Sequence, residues 1–277
     1  MMKARFWGKR DSAVGGAVLN AAKLIVFLTG CIVLLPAFAL AQKTIIIDES
    51  LSANADKMNV KMGWQVGEVW KFRFGDYAVV SPKLTVTTGT SKTNIWGSRT
   101  ETKSKRKFLY LLKGPTPDTA RVNAAQNIDV KTSQSIEILS HISLGSDEVL
   151  AETDNFVAFI KINEDDADTW TLIMNVVRRT GGEQENPKSF LTNGVRKILL
   201  IPVTSNKDGD ARGTPALGYE LSENGQALGA VQYNGGGLFA WNKTIIYIDR
   251  NLEPKMKLLL AAAMTAVLQV KVRPPKF

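Results

Sequence analysis

Hydrophobic and polar residues alternate along much of the chain. In residues 69–75, Trp70, Phe72 and Phe74 alternate with two basic residues, as in a strand with one buried and one exposed face. Similar β-rich runs recur between turn residues, at residues 77–80, 83–87, 107–112, 197–203 and 243–248. Their regular spacing predicts roughly ten to twelve strands in an all-β sandwich or barrel.

The turns between these runs predict two hairpins. Residues 156–162 and 170–177 are rich in β-branched and aromatic residues, and the acidic linker at residues 163–169 is typical of a turn. The second hairpin is centred on Asn224 and Gly225, because Asn-Gly between two apolar runs is the strongest short hairpin signal.

Residues 251–272 are the one long helix that the sequence predicts. Asn251 is its expected N-cap, Glu253 complements the helix dipole, and Pro254 is tolerated in the first turn. Residues 258–268 carry no charge, so the helix must lie in a membrane or be enclosed by protein. The uncharged stretch is shorter than the roughly 20 residues that a membrane crossing needs. We therefore expect a closed barrel threaded by the helix.

A strand at residues 245–248 leads into this helix, and residues 251–257 read Asn-Leu-Glu-Pro-Lys-Met-Lys. This segment resembles the end of phospholipid scramblases and their LURP-one-related and tubby-like relatives, where an acidic turn precedes Lys-Met-Lys. The hairpin at residues 218–226 is also similar to their strand pairs. The resemblance covers the chain from Ala216 to the end. For the whole domain it implies a mainly β fold, a closed antiparallel barrel of about twelve strands around a buried hydrophobic C-terminal helix.

The resemblance implies less about activity. Scramblases carry acidic residues thought to bind calcium before the last strand, whereas residues 240–243 here are Ala-Trp-Asn-Lys. The cysteine-rich acylation segment of scramblases is missing as well. Tubby-like proteins bind phosphoinositide head groups through basic residues of the barrel, and the resemblance does not align those positions. The fold therefore transfers, and the activity does not.

The N-terminal 41 residues have the pattern of a secretory signal. Basic residues precede an apolar run at residues 24–35, and Ala39-Leu-Ala41 matches a cleavage site before Gln42. The alternatives are an uncleaved membrane anchor and a lipid on Cys31, which follows Leu-Thr-Gly. We expect an exported protein, periplasmic or secreted, with residues 42–62 as a flexible lead-in and residues 63–277 as a single barrel domain.

Composition excludes several classes of function. The formal net charge is +9, and the segment before Gln42 holds five Lys or Arg and one Asp, so a cleaved chain is about +5. That balance predicts no nucleic-acid partner unless the charge is concentrated. Cys31 and His141 are the only residues of their kinds, which excludes disulfide frameworks and Cys/His zinc sites, and no cofactor is expected.

Two sets of residues qualify as catalytic or metal-binding candidates. For both we favour an ordinary structural role, as a polar strand residue for His141 and as solvated turns for the acidic residues. His141 is not accompanied by a G-x-S-x-G nucleophile motif, which argues against a catalytic triad. The acidic turns lack the ligand spacing of a calcium loop; they hold Glu164, Asp165, Asp166 and Asp168, and Asp208 and Asp210. A hydrolase that uses paired carboxylates stays open, because such pairs are distant in sequence.

The best candidate site is the densest basic cluster, Lys103, Lys105, Arg106 and Lys107, near Lys92 and Arg99. Each such charge contributes about 1 kcal/mol near an anionic membrane surface. We therefore predict an exported, non-enzymatic binding protein that binds lipid head groups or an envelope surface. The alternatives are a secreted hydrolase and a structural protein of the envelope.

Overall fold

The structure, a computed structural model, describes most of the chain after residue 43. The described residues are 44–83, 88–93, 99–133, 136–139, 142–144, 148–165, 168–179, 189–206, 215–236 and 243–272. The helices are α1, Glu49–Asn54, and α2, Pro254–Lys271. The strands are β1 Ala55–Asn59, β2 Lys61–Val66, β3 Val69–Phe74, β4 Tyr77–Lys83, β5 Thr88–Thr93, β6 Arg99–Lys113, β7 Thr119–Ser133, β8 Ile136–Leu139, β9 Ile142–Leu144, β10 Glu148–Ile162, β11 Thr169–Arg179, β12 Phe190–Thr192, β13 Lys197–Thr204, β14 Leu217–Glu223, β15 Gln226–Asn234 and β16 Ile245–Asp249.

An antiparallel sheet curls into a nearly closed barrel, as the sequence predicts. Its order is β1-β16-β15-β14-β13-β12-β11-β10-β7-β6-β4-β3-β2, and β5 pairs with β6 beside this path. Only Val60 separates β1, which pairs with β16, from β2, which pairs with β3. The barrel has thirteen strands, close to the expectation of about twelve. The segment that contains β1 and β2 breaks at Val60, whose N–H donates to the Thr244 carbonyl at 3.0 Å.

Helix α2 fills the barrel. Residues 258–270 are all buried, including Ala262 and Ala266 with no exposed surface. The helix packs against strands from around the wall, namely β3, β7, β10, β15 and β16. The Tyr110 hydroxyl donates to the Ala262 carbonyl at 3.3 Å. A helix that is apolar on every face is stable here because protein replaces solvent on every face.

The predicted helix is present, but it begins two residues later than a cap at Asn251 implies. Pro254 occupies the first turn, as expected, where a missing N–H costs nothing. The N-cap residue is Glu253, not Asn251, and the Glu253 side chain makes no capping hydrogen bond. The Asn251 N–H instead donates to Asp249 at 2.9 Å, so Asn251 belongs to the turn that leaves β16.

Both predicted hairpins are present. Strands β10 and β11 pair in continuous register from Ala151 and Arg179 to Lys161 and Thr169. Strands β14 and β15 meet at Asn224 and Gly225, which have positive φ values of 51° and 83°. A two-residue hairpin turn needs this conformation, and Asn and Gly tolerate it best.

Part of the expected flexible lead-in, residues 42–62, is regular structure. Asp48 caps α1 by accepting from the Ser50 N–H at 2.8 Å, and β1 and β2 close the sheet. Residues 44–47 form no strand, yet Ile45 is buried with Leu51 against Ala230 and neighbouring residues of β15 and β16. The few apolar residues of this segment therefore form a second, smaller core.

Several predictions fall on residues outside the described ranges. These are the export signal and Cys31 in residues 1–43, together with His141, Asp166, Asp208 and Asp210. Among the residues that are described, no helix combines the length and hydrophobicity that a membrane crossing requires.

Candidate functional site

The predicted basic cluster divides between the two faces of β6. Lys103, Lys105 and Lys107 are exposed on the outer face, whereas Arg106 shares the inward face with the fully buried Phe108. Successive side chains of a strand point to opposite faces, so neighbours in sequence are separated by the barrel wall. The three lysines follow one another at every second residue, which places their Cα atoms about 7 Å apart.

Arg106 joins the wall to the end of helix α2. Its Nε lies 2.9 Å from a Glu68 carboxylate oxygen, its Nη1 donates to the Gln269 carbonyl at 3.1 Å, and its Nη2 donates to the Glu68 carbonyl. The Gln269 carbonyl belongs to the last turn of the helix, where carbonyls lack a partner within the helix. Arg106 therefore supplies that partner, and its position favours a structural role over ligand binding.

The exposed lysines belong to a larger basic wall, which we define as the outer face of strands β2 to β6. These five strands contain eleven Lys or Arg residues and one acidic residue, Glu101. Lys105 and Lys107 form no ion pair with any residue that the structure describes. The exposed cations of the wall are Lys61, Arg73, Lys83, Lys92, Lys103, Lys105, Lys107 and Lys113.

The other side of the barrel has a different charge balance. Strands β13 to β16 hold one basic residue, Lys197, and three acidic residues, Glu220, Glu223 and Asp249. The positive charge is therefore concentrated on one side of the molecule. Such an arrangement orients a protein on an anionic surface, although the net charge of the whole chain is modest.

A cleft of about 590 Å³ extends the basic wall across β6, β7 and β10. Leu109 and Phe159 form apolar parts of its lining, and Arg121 and Lys161 contribute positive charge. The Arg121 guanidinium pairs with Glu164 at 2.7 Å. Its Nε atom is buried and makes no hydrogen bond with any described residue, and a buried donor without an acceptor is costly. The cleft therefore carries one carboxylate, Glu164, beside its two cations.

A second cleft, of about 500 Å³, lies at the mouth of the barrel beside the start of α2. Asp168 accepts from the indole N–H of Trp170 at 2.9 Å and from Asn193 at 3.3 Å. Lys255, in the first turn of α2, forms an ion pair with Asp168 at 2.9 Å. The turn between β10 and β11 is therefore tied to the helix start, and Asp168 is not the freely solvated turn residue that the sequence suggests.

The charged groups at this mouth stabilise one another in their ionised forms. The hydrogen bond from Lys255 lowers the pKa of Asp168, and the hydrogen bond to Asp168 raises the pKa of Lys255. Arg196 binds Glu223 through two hydrogen bonds of 2.8 and 2.6 Å. This pairing raises the pKa of Arg196 and lowers the pKa of Glu223.

This arrangement does not favour acid–base catalysis. A glycosidase acid needs a carboxyl pKa raised towards neutrality, whereas the pKa of Asp168 is lowered. Within the described ranges, no group of three or more His, Cys, Asp or Glu residues is arranged to hold a metal ion. The geometry of the mouth is therefore that of a structural closure with a binding cleft, and the basic wall is the stronger candidate site.

Sequence reasoning identified Lys92, Lys103, Lys105 and Lys107 and missed the other four exposed cations of the wall. Lys61, Arg73 and Lys113 lie on neighbouring strands, aligned through Ala78 of β4. The sequence shows that these residues alternate with apolar ones. It does not show the strand order, in which β2 lies three strands from β6. Arg121 was missed for the same reason.

The architecture defines a class of β-barrel enclosing its C-terminal helix. Comparison of the chain with protein-family models, curated proteins and solved structures finds no match.

Proposed function

We propose that this chain is an exported, non-enzymatic binding protein whose basic wall docks on an anionic lipid surface. The observation that supports the proposal is the segregation of charge, because the basic wall has eight exposed cations and strands β2 to β6 contain one acidic residue. Export is part of the proposal and rests on the signal pattern of residues 1–41. Membership of the tubby-like and scramblase superfamily is also part of the proposal, and the enclosed helix supports it.

The expected strength of binding follows from the number of lysines that reach the surface. Each Lys or Arg near an anionic membrane contributes about 1 kcal/mol, so Lys105 and Lys107 together contribute about 2 kcal/mol, or a factor of about thirty in affinity. Arg106 is left out of this sum because the Gln269 and Glu68 backbone carbonyls accept its hydrogen bonds.

Vesicle co-sedimentation tests the proposal. The double variant Lys105→Ala/Lys107→Ala should bind phosphatidylglycerol-containing vesicles about thirty-fold more weakly than the unmodified chain. The matched control is Lys57→Ala/Lys197→Ala, which removes two exposed lysines outside the basic wall. Binding should also fall as salt rises, because screening shortens the reach of charge to about 3 Å at 1 M. Equal weakening by both double variants, or no binding to anionic vesicles, would refute it.

A further inference from the structure

A β-bulge in β2 displays a tryptophan on the basic wall. Met62 pairs with Phe72 and Gln65 pairs with Trp70, so two residues, Gly63 and Trp64, lie opposite the single residue between the two partners. That residue is Lys71 on the outer face of β3. Bulges of this kind redirect side chains, and here the redirected side chain is an indole.

Gly63 makes the bulge possible. A Cβ atom at this position would lie 2.9 Å from the Lys71 carbonyl oxygen and 3.3 Å from the Lys71 Cβ. The two strands therefore approach too closely for any side chain at position 63. The chain pays for this arrangement with a glycine inside a strand, which weakens the strand.

Trp64 is the most exposed aromatic residue in the part of the chain that the structure describes, with 65% of its surface accessible. The Lys71 Nζ lies 3.9 Å from the centre of its ring. The indole N–H makes no hydrogen bond with a described residue. Trp64 thus presents a large apolar ring with an unused donor, next to a cation.

These features fit the head-group region of a bilayer. Tryptophan concentrates there because its ring is apolar and its N–H is polar. Lysines beside it keep their ammonium groups at the surface while their chains cover apolar area. Lys61 and Arg73 flank the bulge on the same outer face, and with Lys71 they supply the charge that complements anionic head groups.

We infer that Trp64 is an interfacial anchor, which inserts among lipid head groups when the basic wall docks on an anionic bilayer. This inference rests on the proposed function and adds an apolar contact to an electrostatic one. Electrostatic attraction orients the barrel, and the indole then adds affinity that salt does not screen.

The test uses the full chain and vesicles of phosphatidylcholine with phosphatidylglycerol. Trp64→Ala should weaken binding about ten-fold, the scale expected for one large apolar side chain, and Trp64→Phe should restore part of the loss. Ile201→Ala, which removes an exposed apolar side chain from the opposite wall, should bind as the unmodified chain does. Vesicles with brominated acyl chains should quench a fluorescence component that Trp64→Phe lacks.

The outcomes separate the two proposals. If Lys105→Ala/Lys107→Ala weakens binding while Trp64→Ala binds normally and no quenching depends on Trp64, the anchor is refuted and the electrostatic proposal stands. If the unmodified chain ignores anionic vesicles, both proposals fail. Because a basic face with an exposed aromatic also suits single-stranded nucleic acid, an oligonucleotide that competes fully with the vesicles would reassign the face and overturn the anchor.

Discussion

Replacing Arg106 by alanine should destabilise the barrel, whereas the same change at Lys107 should not. Arg106 has a side chain that is 14% exposed and contacts Glu68 and the Gln269 carbonyl. Hydrogen bonds that involve a charged group contribute about 1.5–3 kcal/mol each. Partial exposure of Arg106 and Glu68 to solvent reduces that contribution, so we expect a loss of about 2–4 kcal/mol for Arg106→Ala. An exposed lysine such as Lys107 contributes less than about 0.5 kcal/mol.

Thermal unfolding followed by circular dichroism measures this difference. For a domain of this size, 1 kcal/mol shifts Tm by about 2–4 °C, so Arg106→Ala should melt about 5–15 °C lower and Lys107→Ala within about 2 °C of the unmodified protein. Arg106→Lys should fall between them, because lysine keeps the charge but not the forked donors. Equal melting temperatures for Arg106→Ala and Lys107→Ala would refute the assignment of Arg106 to the helix end.

Two further substitutions probe the fold, and one mass measurement probes export. Ala262→Asp should prevent folding, because it buries an unpaired carboxylate at a cost of several kcal/mol, while Ala53→Asp on the exposed side of α1 should fold normally. Asp168→Asn should lower stability at pH 7 by about 0.2–1 kcal/mol through loss of the pair with Lys255. The lowered pKa of Asp168 means that this contribution is present above the ordinary carboxyl pKa and is lost as pH falls through the folded-state pKa. Mass spectrometry of exported protein should find Gln42 at the N-terminus.

Each of these expectations has a contradicting result. A cooperative melt of Ala262→Asp near that of the unmodified protein would mean that the helix is not enclosed. A stability difference for Asp168→Asn that does not shrink as the pH falls below the ordinary carboxyl pKa would contradict the ion pair with Lys255. Intact residues 1–41, or a lipid on Cys31, would contradict cleavage of an export signal.

The barrel and its enclosed helix were predictable because both leave local patterns. An uncharged stretch at residues 258–268 has few stable environments, and the Asn224-Gly225 turn fixes a hairpin through its own backbone preferences. Strict alternation along β6 also assigns Arg106 to the face of Phe108, so the division of the basic cluster was present in the sequence. Grouping residues by proximity in sequence concealed it.

Features that depend on the strand order were not predictable. Helix α1 has six residues and one buried side chain, Leu51. It is held by packing against β15 and β16, two strands that are distant from it in sequence. The bulge at Gly63 and Trp64 exists only in relation to Lys71 on the next strand. Predicting the basic wall likewise requires the strand order, in which β2 lies three strands from β6.

The central claim, that the basic wall faces an anionic bilayer, is tested most directly by labels on different faces of the barrel. With Cys31→Ser removing the only cysteine, a polarity-sensitive dye can be placed at Thr90→Cys, opposite Lys103 on the wall, or at Val195→Cys, an exposed site at the β12–β13 turn. We expect anionic vesicles to shift the emission of the dye at position 90 to the blue and to leave the dye at position 195 unchanged. A shift at position 195 alone, or equal shifts at both, would contradict the proposed orientation.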